Sequence, residues 1–575
     1  MRGRVRTKQK YSIEVAQKKL PLGVKIKSEI ERNRDDPQKI MWIEVSNLDH
    51  LGLVAGLIDE IGIVPKINEL LGEHQAEKIS AGQVVKGMIL NGLGLVSSPL
   101  YLFSRFFEGK ATEHLLGEGI KAEYLNDERL GRVLDSLYQT GLNQIFVSIA
   151  LEVVKKYQIK VETVHLDSSS FSVQGESETE SSELEEEQQP RAVKITHGYS
   201  RDHRPDLKQF MMDLICSADG DVPLWMRIGD GNESDRQQFA QIMREFKSQL
   251  KWDSLIVLDS AFYSQENLQS SQSIWWLSRV PLTVKAAGEL VRDVSDEALM
   301  PSQLTGYRYQ EIQKTYGGIN QRWLVVESQK RRESDLNKFA KNVQKEAVEA
   351  AKQLLQLSRQ QFACIPDAQQ AAQKLLKKSK YHQITKIKVE TVTQKKGKPS
   401  TTEAYQVRGT VSLSEEKVEP IRSCAGRFIL ATNVLDNDVL TAEEVLSKYK
   451  DQQVVERGFR FLKDPMFFTD SVFLKSPERI EALGLIMGLC LLVYTLGQRQ
   501  LRQTLQRCQV KVPNQLGRRT DRPTLGWIFH CFQSIHVLFV RQTVEISNLT
   551  DERLSLLKFF PSACQRYYLP SRSLF

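Results

Sequence analysis

The sequence predicts a mixed α/β protein: an all-α segment, then a five-stranded mixed sheet with helices, with a long insertion before its last elements. Three observations predict this. Apolar residues keep helical spacing from residue 46 to about 158. At Val161 the period changes to the alternation of a strand. From there to residue 280 five apolar runs follow one another, with helical stretches between the later ones.

The elements follow in order. Residues 1–41 form a basic arm, with eleven Lys and Arg between Met1 and Arg34 against Glu14, Glu29 and Glu31. Such arms are usually solvated and disordered, and binding DNA phosphates is the functional alternative. Residues 42–158 form the all-α domain. LVAGLIDEIGIVPKINELLG is expected to break at Pro65, and Asn126 and Asp127 stand as caps before a later helix. VETVHLDSSSFSV is the first strand. QFMMDLICSADG and DVPLWMRIGDGNESD continue it as an antiparallel meander, a helix runs from Ser234 to Leu250, and SLIVLDSAF and IWWLSRV are the fourth and fifth strands. These make up the core's first part, 159–280. Residues 175–190, with seven Glu and no basic residue, read as a solvated loop.

Residues 281–425 form the insertion, with hairpin-like pieces GYRYQEIQKTYGG and QRWLVVES, a long charged helical stretch from Asp335 to Lys378, and a strand pair around a basic Gly/Pro turn. Residues 426–475 return to the core: the strand GRFILATNV leads into one helix, TAEEVLSKYKDQQVVERGFRFLKD. Residues 476–575 are expected to be mostly helical, and Arg499–Arg522 carries seven basic residues and one acid, Asp521.

Composition narrows the function classes. With 41% hydrophobic and 26% charged residues the chain is not a long disordered protein. A net charge of +8 permits a nucleic-acid partner. Seven cysteines without a CxxC pair argue against a zinc ribbon or a disulfide scaffold and fit reduced thiols. No secretory signal is visible, and no GxxxxGK[ST] loop occurs. The apolar run Ala482–Leu496 is shorter than the ~18 residues of a bilayer span and is read as a buried helix, so no membrane partner is expected.

Two acids stand alike. Asp167 in TVHLD and Asp259 in LIVLD each follow an apolar run and are read as ending the first and fourth strands. Ligands of open α/β sheets bind at such rims. Glu456 is the third acid. At ~100° per residue, Tyr449, Gln452, Glu456, Arg460 and Lys463 share one face of a single helix. Three carboxylates suit hard divalent cations such as Mg²⁺, and a pair of such ions can activate a water or a 3′-hydroxyl at a phosphodiester. Tyr449, Gln452, Arg460 and Lys463 suit the DNA phosphates alongside. Each acid alone is more often a turn former or part of a solvated face; the combination carries the reading. Asp219, Asp230 and Asp235 are the competing carboxylates. His165 is assigned to the opposite sheet face from Asp167 and to a core or surface role, and His197 and His203 to a structural or DNA-facing one. Trp275 and Trp276 are core residues or base-stacking ones.

At these residues the chain resembles the DDE transposases of bacterial insertion sequences, within the insertion sequence 4 group and nearest its insertion sequence 1634 family. That group's signature is Tyr, two residues, Arg, three residues, Glu, six residues, Lys. Tyr449, Glu456 and Lys463 match it, and Gln452 stands in the Arg position. VHLDSSSFSV, GNESD, IVLDSAFYS, FLKSPERIEAL and VSNLDHLGLVAGLIDEIGI also look like the family. The resemblance covers about 42–540. It implies an RNase H-like core with Asp167, Asp259 and Glu456 as a catalytic triad holding two Mg²⁺ ions, with Mn²⁺ as a substitute, and a mainly β insertion. It implies a homodimer acting by cut-and-paste chemistry on terminal inverted repeats and target DNA, in the bacterial cytoplasm with the nucleoid. The alternative is a catalytically inactive DNA-binding protein of a degenerate element, to which the Gln452 departure points.

Overall fold

The computed structural model describes residues 43–73, 77–95, 103–173, 192–200, 204–394, 402–451, 453–463, 476–540 and 543–569. The basic arm, the acidic loop, His203 and Gln452 lie outside them. The chain divides into two compact units, residues 1–257 with 451–575, and residues 258–450.

The first unit opens with strand β1 (Ile43–Asn47), followed by helices α1 (Leu51–Ile61), α2 (Ile63–Leu71), α3 (Ala81–Gly92), α4 (Asp127–Thr140) and α5 (Leu142–Tyr157). The expected break at Pro65 falls three residues earlier, at Gly62, whose φ of 90° ends α1. Pro65 then sits in the first turn of α2, where its missing N–H costs nothing. Ser80 and Gln83 close a capping box on α3, and Asn126 caps α4 by accepting from Arg129 N at 2.9 Å.

Strands β2 (Thr163–Val173), β3 (Lys208–Ser217) and β4 (Pro223–Gly229) form the expected antiparallel meander. Helix α6 (Asp235–Leu250) leads to β5 (Leu255–Leu258), which pairs in parallel with β2, giving the order β4-β3-β2-β5.

The second unit carries α7 (Gln265–Ser270), β6 (Trp276–Val280), α8 (Lys285–Asp293), β7 (Met300–Pro301), β8 (Tyr307–Tyr316), β9 (Ile319–Ser328), α9 (Gln329–Arg359), α10 (Ile365–Lys378), β10 (His382–Gln394), β11 (Thr402–Leu413), α11 (Glu415–Ser423), β12 (Arg427–Thr432) and α12 (Ala442–Lys450). Its strands follow the antiparallel order β6-β12-β9-β8-β7. The insertion is not mainly β. The two hairpins β8–β9 and β10–β11 are there, but the charged stretch begins six residues earlier than expected and splits into the 31-residue α9 and the 14-residue α10. Leu357, Ala368, Ala372 and Val407 form the small core that holds these helices to β11. Fully buried Arg322 on β9 pairs with Glu311 at 3.0 Å and donates to the carbonyls of Leu440, Val434 and Asp436 at 2.7, 3.2 and 3.3 Å.

The first unit resumes with α13 (Gln453–Leu462) and α14 (Pro477–Arg507), then β13 (Val512–Pro513), β14 (Arg519–Thr520), α15 (Leu525–Cys531), β15 (His536–Val540), β16 (Thr543–Ser547), α16 (Asp551–Leu557) and α17 (Ser562–Tyr568). Helix α14 is longer than the apolar run suggested. By length and composition it could cross a membrane, yet 89% of its most apolar window is buried inside the fold. Glycine lets it lie against β4: a Cβ at Gly484 would stand 2.6 Å from Ile228 Cδ1, and one at Gly488 2.6 Å from Met226 Sδ. One expectation is corrected at the N-terminal end, where the domain is not all-α, because β1 pairs antiparallel with β15. The C-terminal region is mostly helical, as expected, with four short strands among the described residues. Five residues of IEVSN are too few for a period to register, and their partner lies almost 500 residues away.

Candidate active site

Asp167 does not end its strand. It is the fifth of eleven residues in β2, opposite Leu214 of β3, and it is half-buried in a strand that is otherwise almost wholly buried. The serines and apolar residues after it continue the alternation, which carries the strand onward to Val173. The Oδ1 of Asp167 accepts the N–H of Ser168 at 2.8 Å.

The strand face is set by the period of two. His165, Asp167 and Phe171 share one face, so the assignment of His165 to the opposite face is corrected; its ring is fully buried. Phe171 stacks on its cross-strand partner Phe210 at 5.6 Å and meets Phe459 of α13 at 6.4 Å. The Lys463 ammonium lies 5.3 Å from the centre of the same Phe171 ring. Helix α13 therefore covers the face of β2 that carries Asp167. From its other side α13 is held by α14: Phe461 stacks on Tyr494 at 4.1 Å, and a Cβ at Gly458 would stand 3.3 Å from Leu491 Cδ2. Arg457 reaches Asp221 at 3.9 Å.

Glu456 lies on the backbone of α13, three residues before Phe459 and seven before Lys463. Seven residues are about two helical turns, so Glu456 and Lys463 occupy one line of the helix. The side chain of Glu456 lies outside the described residues. Arg460 is exposed.

The single five-residue stripe does not survive. Tyr449 belongs to α12, which ends at Lys450, and Glu456 to α13, which starts at Gln453. Counting 100° per residue across that break does not preserve a common face. Tyr449 is half-buried in the second unit, where its ring meets Phe428 at 6.3 Å and its hydroxyl pairs with Arg279.

Asp259 is the first residue after β5, as expected, and is half-buried. Its Oδ1 accepts the N–H of Ala261 at 2.9 Å, and its carbonyl accepts the Ser278 hydroxyl at 2.7 Å. The parallel register of β2 and β5 sets His165 opposite Val257, an offset of 257 − 165 = 92. Asp259 follows Asp167 by the same 92 residues.

Two competing carboxylates are otherwise engaged. Asp219 pairs with Arg499 at 2.6 Å; burial works to raise its carboxyl, but Arg499 and the Lys160 N–H hold it below the usual range. Asp230 accepts the Lys194 N–H at 2.7 Å. The side chain of Asp235 lies outside the described residues. His197 is exposed. Trp276 is buried against Phe262 and Tyr263, whereas Trp275 stays 46% exposed.

Sequence reasoning missed a charged row on the other face of β2. Ser168 donates to Asp213 of β3, directly opposite it, and Asp213 pairs at 2.8 Å with Arg227 of β4, directly opposite in turn; Arg227 also holds Glu233. Asp213 is buried, and burial pushes its carboxyl up against the opposing pull of Arg227. A lone acid in the buried run FMMDLIC was the available signal, since buried charges are normally paired.

Hard oxygen donors at Asp167 and Asp259, each oriented by a backbone N–H, fit a divalent cation in chemistry. Among the described residues no cluster of three or more His, Cys, Asp or Glu is arranged to hold a metal.

Comparison with known proteins follows the same division of the chain. Residues 43–151 match a domain of unknown function (DUF4277), and residues 162–495 match the transposase DDE domain. No curated protein matches the chain. Among solved structures, the cryo-EM structure of the piggyBac transposase synaptic complex with hairpin DNA aligns over 93% of this chain and 85% of that one, at 9% identity and a TM-score of 0.35, a similarity too low to decide anything about this fold.

Proposed function

The chain belongs to the transposase DDE domain family, and from that premise we propose that it moves an insertion sequence by cut-and-paste chemistry, hydrolysing phosphodiesters at terminal inverted repeats and joining the freed 3′-ends to target DNA. The observation that carries this is the family match itself: the matched residues 162–495 include all three acids, Asp167, Asp259 and Glu456.

Asp167, Asp259 and Glu456 would hold two Mg²⁺ ions, with Mn²⁺ as a substitute. When bound, such ions supply Lewis acidity at the attacking and leaving oxygens of an in-line displacement. The residues of the chain do the rest. The backbone N–H groups of Ser168 and Ala261 fix how the two aspartates point. Phe171 and Phe459 keep α13, and with it Glu456, on the Asp167 face of β2. Lys463 and Arg460 neutralise DNA phosphates, and Tyr449 and Gln452 hydrogen-bond others.

We assign the strand order β4-β3-β2-β5 to an RNase H-like core, and the chain to the insertion sequence 4 group near its insertion sequence 1634 family, on the spacing of Tyr449, Glu456 and Lys463. In this reading the N-terminal domain binds the DNA end, the C-terminal region contacts DNA or the second copy of a homodimer, and the protein works with DNA in the bacterial cytoplasm.

The test uses purified protein and labelled linear DNA carrying the element's own end, with Mg²⁺, Mn²⁺ and EDTA arms. The expected result is a metal-dependent nick at the end boundary and joined products with a second DNA. End binding without cleavage in either metal would make the chain an inactive DNA-binding protein; no binding at all would overturn the assignment to DNA.

A further inference from the structure

We propose that Arg279 and Arg331, together with Tyr449, form a second-unit site for a phosphate of the DNA backbone. The inference rests on the function proposed above and names one place where the DNA is held.

Sheet register builds the site. Arg279 on β6 stands opposite Leu430 of β12, and Phe428 lies two residues along β12 on the same face. Arg279 and Phe428 are therefore diagonal cross-strand neighbours, within reach of long side chains. The Arg279 guanidinium lies 5.6 Å from the centre of the Phe428 ring. Arg331, in the first turn of α9, lies 5.6 Å from the same ring. Tyr449 of α12 closes the group, its ring 6.3 Å from Phe428 and its hydroxyl bonded to Arg279. Four elements thus bring two guanidiniums and a phenol around one aromatic ring.

Charge says what this arrangement is short of. Among the described residues Arg279 makes no ion pair, and Arg331 makes one, with Asp335 at 3.6 Å. Asp335 also accepts the Gly426 N–H at 3.0 Å. Burial and then the neighbouring Arg331 both work against the charge on Arg279. Two cations gathered on one ring with one shared, partly engaged carboxylate are stabilised by an added anion. The site is also accessible: Arg331 keeps 40% of its side-chain exposure, and Arg279 and Tyr449 are half-buried. Planar guanidiniums backed by an aromatic ring, with a hydroxyl donor beside them, match the oxygens of a phosphodiester.

The experiment measures binding of the full chain to the end DNA across a salt series, comparing wild type with Arg331→Gln, Arg279→Gln, Arg279→Lys and Tyr449→Phe. Removing one cation from a DNA phosphate should lower the slope of log K against log salt by about 0.9. Arg331→Gln, at an exposed position, should weaken binding about tenfold and lower the slope by that amount. Arg279→Gln should do the same, and Arg279→Lys should restore the slope but not all of the affinity. Tyr449→Phe should weaken binding with the slope unchanged. Inorganic phosphate should not compete at millimolar concentration, which separates a DNA phosphodiester from a free-phosphate site. Wild type that binds DNA while Arg331→Gln and a folded Arg279 variant keep its slope and affinity would overturn the site alone. Wild type that binds no DNA would overturn the proposed function, and the site with it.

Discussion

The two units are held together by different means. The first buries a large continuous apolar cluster, from Leu48 through α14 to Tyr568. In the second, polar links stand out: Arg322 is sealed inside by Glu311 and three carbonyls, and Arg427 is buried on Glu327, which also receives Arg308 at 2.6 Å and Arg332 at 2.9 Å. Both units carry candidate residues. In the first, Asp167 and the helix carrying Glu456 share one face of a strand; the second carries Asp259, and in it two arginines and a tyrosine share one aromatic ring. A stripe that looks continuous in sequence, Tyr449 to Lys463, is cut at Asp451 so that its phenol serves one unit and its acid the other.

That contrast can be broken or sharpened by experiment. The largest effect should come from the acids. Asp167→Asn and Asp259→Asn should each lower end cleavage at least about a thousandfold while leaving DNA binding within a few-fold, measured by gel assays on the same substrate. Cleavage surviving either change would remove that residue from the site. Next comes packing in the first unit. Leu491→Ala, at a buried position between α14 and α13, should cost about 2–5 kcal/mol and loosen the Glu456 helix, read by denaturant unfolding together with cleavage. Arg322→Met should cost about 3 kcal/mol and speed proteolysis within residues 258–450 while sparing the first unit. Equal proteolysis of both units would dissolve the contrast.

A smaller effect should follow pH. Burial raises the Glu481 carboxyl from 4.5 to about 7, although the Val193 N–H pulls the other way. The folded state therefore holds a proton that the unfolded state releases, and stability falls as pH rises from about 4.5 to about 7. Glu481→Gln keeps an acceptor for Val193 and removes that loss. It should stabilise the protein by up to about 3 kcal/mol at pH 8 and little at pH 4.5, measured as a melting shift at the two pH values. The smallest change is Ser80→Ala, which removes one cap of α3 and should cost about 1 kcal/mol by thermal melting.

Much of this was legible in the sequence, and the exceptions have physical causes. The change of period at Val161, the three-strand meander and the capped helix at Asn126 are local signals, and local signals were enough for them. Pairing of β1 with β15 was not legible, because a register between residues near 45 and near 538 leaves no mark on either segment. The break at Asp451 was hidden because YKDQQVV carries no glycine or proline to announce it. Helices α12 and α13 each dock within their own unit, and that decides where each ends. Asp167 and Asp259 could be chosen from their apolar run-ups, while their common offset became visible only with the strand pairing. Arg279 and Arg331 carried no signal at all, since only the fold brings residues 52 apart onto one ring.

The discontinuity of the first unit has a consequence for how the chain is made. Its first part ends at Val257 and its second begins at Asp451, so 450 − 257 = 193 residues are synthesised between them. At ~5–20 residues per second that is a wait of about 10–40 s, during which α14 does not yet exist to cover β4 and the apolar faces of α3 and α4. The second unit is contiguous and can complete itself within that interval. A nascent chain arrested once residue 450 has emerged, but before α14 has, should therefore present a folded second unit and a sticky, chaperone-binding N-terminal half, and release from the ribosome should be the moment at which that half closes.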